Sequence, residues 1–301
     1  MGEYQTGPTT LNPKLKQSIS DNVLKYTIGL YSLLILIVPL LFIPTISYTD
    51  GYSSYTDGDS INKDRQSYVL NKLKSHDIVF LGTTHKKQPI LKFLSDLLPN
   101  LHNAEVTHLG LEICSDQQET IDKFLQTGQG LADIKLHHPL DCEEYRNIFN
   151  IIRRIDHSKR PSVIALDLPK TMYRGKINRD EWMARSIVRI FRKNPNAKAL
   201  LVAGNLHVFK KIEWEDTVPN AHGFIRTYLS EFMPRLRAFS IGQCIDQTPN
   251  ECDFTRAFSK LEGAVAMDCD GRFSDWKIGI TRLVAAKPAK VWEILDGVIV
   301  Y

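Results

Sequence analysis

The sequence has few cysteines. Five occur among 301 residues, and no two are spaced as Cys-x-x-Cys. This absence leaves a zinc ribbon or a thioredoxin-like motif without support. Cys244 and Cys252 are close enough along the chain to form a disulfide in an oxidising compartment, and their spacing permits this bond without requiring it.

The chain also lacks a strong charge of one sign. Its net charge is +4, and its Lys and Arg residues are scattered rather than gathered with aromatic residues into a stripe. We therefore expect no nucleic-acid partner. The composition, 43% hydrophobic and 24% charged, is that of a globular protein long enough for one large core.

Residues 26–49 contain no charged residue. A segment of this length predicts a transmembrane anchor, because roughly 20 apolar residues cross a bilayer. Lysines precede it and aspartates follow it, so the positive-inside rule places residues 1–25 in the cytoplasm. We expect a flexible tether over 50–66, followed by an α/β domain over 67–301 on the periplasmic or extracellular side of the cell membrane. A cleaved signal peptide and a buried core helix are the alternatives for the apolar segment.

Beyond the tether, short apolar runs alternate with amphipathic segments. The runs that predict strands are Asp77–Leu81, Thr107–Leu111, Ser162–Leu166, Ala199–Val202, Leu236–Ile241 and Val298–Tyr301. The patterns that predict helices are Pro89–Leu98, Asp116–Gln126, Cys142–Asp156 and Arg179–Lys193. This alternation predicts an α/β fold with a largely parallel central sheet and helices on both faces. Residues 243–282 are less regular, and their strands cannot be placed.

Three helix ends have local signals. Ser115, followed three residues later by Gln118, predicts a capping box at the start of one helix. Gly128 predicts the end of that helix, and Asn178 predicts the start of another.

The pattern Gly-x-x-His occurs twice, each time just after an apolar run. Gly82 leads to His85, and Gly204 leads to His207. A glycine past a buried strand allows a sharp turn, so each His is expected at the carboxyl end of a strand. Ligands bind at that edge in open α/β sheets.

Two carboxylates occupy the same position on the strands between these histidines. Glu112 and Asp167 each end an apolar run, and a buried carboxylate is costly unless it is paired, hydrogen-bonded or metal-bound. Arg179 lies on the core-facing stripe of its helix, which favours an oxyanion or carboxylate partner. Turn, capping or salt-bridge roles are the alternatives for each residue taken alone.

These residues suit two kinds of chemistry. His85, Glu112 and His207 are suitable ligands for a zinc-like divalent metal with an open position. A His and a carboxylate also serve as base and acid without metal. Two further patterns are weaker. His137 and His138, in a loop after a helix, are candidate ligands for a metal or a haem iron. Cys114, beside Glu112, is a thiol near the site or a small buried hydrophobe.

The ordered motifs resemble a known superfamily. From Asp77 to Val208 the chain reads Gly-x-x-His, Leu-Glu-x, Ala-x-Asp-x-Pro, Arg-x-x-x-Met-Ala and Gly-Asn-x-His. This order is similar to that of the group joining ChaN-like haem-binding proteins, erythromycin esterase-like enzymes and Tiki proteases, with the ChaN-like branch the most similar. Thr83 departs from the commoner Gly-Glu-x-His opening and removes a carboxylate next to His85.

The resemblance implies different functions in different branches. The esterase-like branch implies a hydrolytic site in which His85, Glu112 and His207 activate water, and the Tiki branch implies a metal-dependent peptidase. The ChaN-like branch implies haem or iron uptake with a tyrosine ligand, for which Tyr145 and Tyr173 are the candidates by order.

We expect a membrane-anchored hydrolase that acts on an ester or amide of a small molecule or peptide. His85 is expected as base or metal ligand, Glu112 as its orienting group or a ligand, and His207 as second ligand or acid. Arg179 is expected to bind the substrate oxyanion, with Asp167 behind it. The alternatives are a non-catalytic haem- or iron-binding protein and a scaffold.

Overall fold

The computed structural model describes residues 61–175, 177–212, 223–245, 252–258, 260, 262–278 and 289–301. The predicted cytoplasmic segment and transmembrane anchor lie outside these ranges, as does the predicted tether up to residue 60. Within them, every helix is too short or too polar to cross a membrane.

The described residues form a sheet of seven strands. In chain order the strands are β1 (Ile78–Thr83), β2 (His108–Cys114), β3 (Ser162–Asp167), β4 (Ala199–Gly204), β5 (Ala238–Cys244), β6 (Val265–Asp268) and β7 (Gly297–Val300). Their spatial order is β3-β2-β4-β1-β5-β7-β6. All neighbouring pairs are parallel except β6 with β7. The predicted parallel sheet is confirmed, and β6 is a strand that the sequence pattern did not reveal.

Helices cover both faces of this sheet. The first four are α1 (Arg65–Ser75), α2 (Gln88–Leu97), α3 (Gln118–Thr127) and α4 (Glu143–Arg154). The next four are α5 (Arg179–Lys193), α6 (Ile225–Phe232), α7 (Asp253–Phe258) and α8 (Val291–Ile294). Side chains alternate along a strand, so Val79 and Leu81 pack with the first four helices, whereas Ile78 and Phe80 pack with the last four. The nearly continuous apolar runs follow from this double burial.

Two described residues of the predicted tether, Asn62 and Asp64, hydrogen-bond with the domain. The backbone of Asn62 exchanges two hydrogen bonds with Ala266, a residue of β6. The Asp64 carboxylate caps α1 by accepting from the amides of Gln66 and Ser67.

Gln118 protects the outer strand β3 instead of completing a capping box. Its side-chain amide donates to the Val163 carbonyl at 2.9 Å and accepts from the Ala165 amide at 2.8 Å. The predicted capping box is therefore wrong: residues 115–117 form a 3-10 turn, and α3 begins without a side-chain cap. The predicted end at Gly128 and start at Asn178 are confirmed, because Gly128 has φ +77° and Asn178 accepts from two amides of α5.

Candidate active site

The ends of β1, β2, β3 and β4 meet at one edge of the sheet, as the motif spacing predicts. In the parallel register, Thr83 lies opposite Gly204, and Cys114 lies opposite Asp167. Strand β2 has one more residue than β3 between the paired positions Leu111 and Cys114. A bulge of this kind re-aims a side chain, and it lies at Glu112.

The two Gly-x-x-His glycines have different tasks. A Cβ at Gly204 would lie 3.3 Å from the His85 ring and 3.5 Å from a Glu112 oxygen. A Cβ at Gly82 would lie 2.2 Å from the side-chain oxygen of Asn205. Gly204 therefore makes room for the reactive side chains, whereas Gly82 makes room for a structural asparagine.

Glu112 is a buried carboxylate with three donors. Its Oε2 accepts from the Gly204 amide at 2.7 Å, and its Oε1 lies 2.9 Å from Arg179 Nη2 and 3.3 Å from His207 Nε2. Burial alone would raise its pKa, but the hydrogen bond and charge of His207, the Gly204 amide and the Arg179 charge lower the pKa to about 2. Glu112 is therefore a permanent negative charge at neutral pH.

Arg179 connects the two carboxylates. Its Nε and Nη2 donate to Asp167 at 3.0 and 2.6 Å, and the same Nη2 reaches Glu112. Asp167 is fully buried. Burial raises the pKa of Asp167, but hydrogen bonds from His137 and Arg179 and the Arg179 charge hold this pKa well below its usual value. The predicted inward guanidinium is present, and its partners are protein carboxylates.

His207 is held between two carboxylates. Its Nδ1 lies 2.8 Å from Asp180 Oδ1, and its Nε2 faces Glu112. Burial alone would lower its pKa, but hydrogen bonds to Asp180 and Glu112 and their charges raise the pKa to about 10. His207 is therefore an imidazolium at neutral pH. Asp180 was not predicted as a site residue, although it follows Arg179 directly in the first turn of α5.

His85 has the opposite character. Its buried Nδ1 has no hydrogen-bond partner, and among the described residues no contact of Nε2 with a protein donor or acceptor is present. Burial lowers its pKa below 6.5, partly offset by the charge of Glu112. A neutral imidazole with unused nitrogens can accept a proton.

A cavity of about 380 Å³ opens at this edge. It is lined by His85, Glu112, His137, Pro139, Leu140, Lys170, Tyr173, Arg179 and His207. Four of the five predicted site residues line the cavity, and the fifth, Asp167, lies behind Arg179. The volume is within the range of about 300–1,000 Å³ typical of small-molecule pockets.

A second group of side chains lies around Asp167. Tyr173 donates to Asp167 Oδ2 at 2.5 Å, and His137 Nε2 lies 3.0 Å from the same oxygen. Cys114 Sγ lies 3.4 Å from His137 Nε2. The sequence pattern does not single out His137 or Tyr173, because neither ends a strand. His137 lies between α3 and α4, and Tyr173 lies after β3 in the loop before α5.

The predicted zinc set does not fit the observed arrangement. Both nitrogens of His207 already face carboxylates, with Nδ1 2.8 Å from Asp180 and Nε2 3.3 Å from Glu112, so both are engaged by protein groups. Arg179 already supplies a cation to Glu112. Among the described residues, the group whose metal-ligating atoms all lie within 4.8 Å of one another is Cys114, His137 and Asp167.

The cavity also does not fit haem. Its lining is mostly titratable, and Pro139 and Leu140 are the apolar exceptions. Tyr145 is buried in the core, and the Tyr173 hydroxyl is engaged by Asp167. Cys244 and Cys252, the candidate disulfide pair, are both buried, and no disulfide joins them among the described residues.

Comparisons with known proteins reveal the fold. No family model and no curated protein sequence matches the chain. Among solved structures, a variant of the erythromycin esterase EreC in its open conformation matches with a TM-score of 0.58 and 11% identity, covering 78% of this chain and 92% of that one. A succinoglycan biosynthesis protein matches with a TM-score of 0.54 and 12% identity, covering 77% and 89%.

A haem-bound ChaN of Campylobacter jejuni matches less well, with a TM-score of 0.42 and 14% identity over 63% of this chain and 92% of that one. The expected fold relationship is seen with the erythromycin esterase. This chain has the α/β fold of the erythromycin esterase EreC.

Proposed function

We propose that the chain hydrolyses an ester of a small molecule with a water molecule activated by His85. The observation that carries this proposal is the state of His85: a neutral imidazole without protein partners beside the cavity, next to a carboxylate that is always charged. The fold shared with an erythromycin esterase supports the reaction class.

The reaction proceeds in two proton transfers. His85 removes a proton from water as the water oxygen attacks the ester carbonyl carbon, and the carbonyl oxygen gains the negative charge. The C–O bond to the alcohol then breaks, and the His85 imidazolium returns the proton to the leaving alkoxide. The products are a carboxylic acid and an alcohol, and no other reactant is consumed.

The neighbouring charges stabilise this transition state. Glu112 lies beside the His85 ring across Gly204, and its negative charge favours the imidazolium that forms. Arg179 lines the cavity, and its Nη1 has no acceptor among the described residues, so it is available to the developing oxyanion. His207 and Asp167 hold Glu112 and Arg179 in place.

Hydrolysis of p-nitrophenyl acetate by the purified full chain tests this function. We expect His85→Gln to lower kcat/KM about 10²–10⁴-fold, the usual range for loss of a general base. His157→Gln is the matched control, because His157 is exposed and is not among the residues that line the cavity. A wild-type rate no higher than that of uncatalysed hydrolysis would contradict the proposal. So would a His85→Gln variant with the wild-type kcat/KM.

We also propose that residues 26–49 anchor the chain in the cell membrane, with the catalytic domain outside the cytoplasm. The support is the uncharged segment and the charge difference across it. Alkaline extraction of membranes is expected to leave the chain in the pellet, and protease added to intact spheroplasts is expected to remove the domain. Release at alkaline pH would contradict the anchor, and protection of the domain would contradict its orientation.

A further inference from the structure

Four side chains converge on one point beside the proposed hydrolytic site. Three contacts join His137 Nε2 to its neighbours: 2.7 Å to Tyr173 OH, 3.0 Å to Asp167 Oδ2 and 3.4 Å to Cys114 Sγ. One ring nitrogen carries at most one proton, so hydrogen bonding satisfies one of these contacts at a time. Metal sites bring S, N and O atoms together in this way, with more close contacts than the available protons can turn into hydrogen bonds.

We propose that Cys114, His137 and Asp167 bind a zinc ion, in a site separate from the His85 base. Their ligand atoms lie within 4.8 Å of one another. Tetrahedral zinc with bonds of about 2.0–2.3 Å separates its ligands by about 3.3–3.7 Å, and the Cys114–His137 contact of 3.4 Å already has that length. The His137–Asp167 contact of 3.0 Å is shorter and must open by a few tenths of an ångström.

The donor set favours zinc over the common hard cations. A thiolate and an imidazole are soft or borderline ligands, whereas Mg²⁺ and Ca²⁺ prefer oxygen ligands. Three ligands leave a fourth position for a water molecule or for the Tyr173 hydroxyl, which lies 3.7 Å from Cys114 Sγ. His137 and Tyr173 line the cavity, so an ion has a route from solvent.

The charge of the surrounding network also accommodates the ion. The carboxylates Glu112, Asp167 and Asp180 face the cations Arg179 and His207, which leaves one negative charge unmatched. Zinc binding breaks the Cys114 S–H bond, forms an S–Zn bond and releases the proton to solvent. The ion and the thiolate together add one positive charge, which balances the network. Arg179 then hydrogen-bonds a ligand carboxylate, an arrangement typical of metal sites.

Titration of the metal-stripped full chain with Zn²⁺ and Co²⁺ tests the site. We expect one ion per chain, a thiolate-to-cobalt charge-transfer band with Co²⁺, and no displacement by Mg²⁺. Cys114→Ser and His137→Gln are expected to lower Zn²⁺ affinity by at least about 10-fold, the lower limit seen for loss of groups that only support ligands. The charge-transfer band is measured on the wild type, so it does not depend on how well a variant folds.

The controls are neighbours of the same type. Cys142→Ser removes a thiol outside the cluster, and His138→Gln alters the exposed residue next to His137, so both are expected to keep wild-type affinity. Absence of the band, or wild-type affinity in Cys114→Ser, would overturn the zinc site. Neither result affects the hydrolytic proposal, which is measured by ester turnover.

Discussion

At the scale of single residues, glycines decide where the reactive side chains lie. We predict that alanine at one glycine lowers activity, whereas alanine at another lowers stability. Gly204→Ala places a methyl group 3.3 Å from the His85 ring, so kcat/KM is expected to fall by up to about 10²-fold while Tm stays near the wild-type value. Gly82→Ala collides with Asn205 and Val208, so it is expected to destabilise by about 1–3 kcal/mol.

Kinetics and thermal melting of both variants check this prediction, and each variant is the control for the other. Loss of stability in Gly204→Ala with unchanged kcat/KM would contradict the separate tasks of the two glycines.

Arg179 neutralises two buried carboxylates, so its removal is expected to be costly. We predict that Arg179→Met destabilises the chain by about 3–5 kcal/mol, because Glu112 and Asp167 lose their shared cation. The depressed pKa of Glu112 contributes stability that is present above 4.5 and is lost as pH falls towards about 2. The difference in the free energy of unfolding between the wild type and Arg179→Met should therefore become smaller as the pH falls from 4.5 towards about 2.

Denaturant unfolding across this pH range measures the effect. Arg185→Met is the control, because Arg185 makes an exposed pair with Glu181 on the same helix, and exposed pairs contribute about 0–1 kcal/mol. Equal destabilisation by the two variants would contradict the role assigned to Arg179.

His207 gives a pH effect of the opposite sign. Its folded pKa is raised to about 10, so its contribution to stability is complete below 6.5 and is lost as pH rises through about 10. We predict that the free energy of unfolding of the wild type falls over this interval and that His207→Gln shows a weaker fall. A fall of the same size in both proteins, measured by denaturant unfolding, would contradict an imidazolium at His207.

At the scale of secondary structure elements, β3 is an outer strand that needs protection. Gln118 occupies two of its backbone groups. We predict that Gln118→Ala destabilises the chain by about 1–3 kcal/mol and promotes self-association, because an open strand edge pairs with other chains. Gln126→Ala, an exposed change in the same helix, is the control for light scattering and melting. A Gln118→Ala chain that scatters light and melts as the wild type does would contradict this role.

The predicted strands can be compared with the observed ones. The first five predicted strands match β1 to β5, and the last matches β7, because strands buried on both faces read as apolar runs. β6 was missed because it is a short antiparallel strand in an irregular region. The sequence identifies His85, Glu112, Asp167 and His207 because each lies just after an apolar run that predicts a strand. His137 lies between two helices, where no periodic signal points to the sheet edge.

At the scale of the whole molecule, strand order determines which side chains meet. β4 lies between β2 and β1, so Gly204 adjoins both Glu112 on one side and the loop of His85 on the other. The first four helices lie on one face of the sheet, and the later helices lie on the other. In open sheets of this kind, ligands bind at the carboxyl ends of the strands, at the point where the strand order reverses. Apolar runs carry no information on this order, so the contacts of His207 with Asp180 and Glu112 could not be predicted.

The pH dependence of ester hydrolysis by the full chain tests whether His85 is the base at this sheet edge. We predict that wild-type kcat/KM falls on the acid side with an apparent pKa below 6.5, because burial disfavours the charged form of His85. His85→Gln should keep a small residual rate without that acid limb. An acid limb that persists unchanged in His85→Gln, or a wild-type rate that does not fall as the pH is lowered, would show that His85 is not the base.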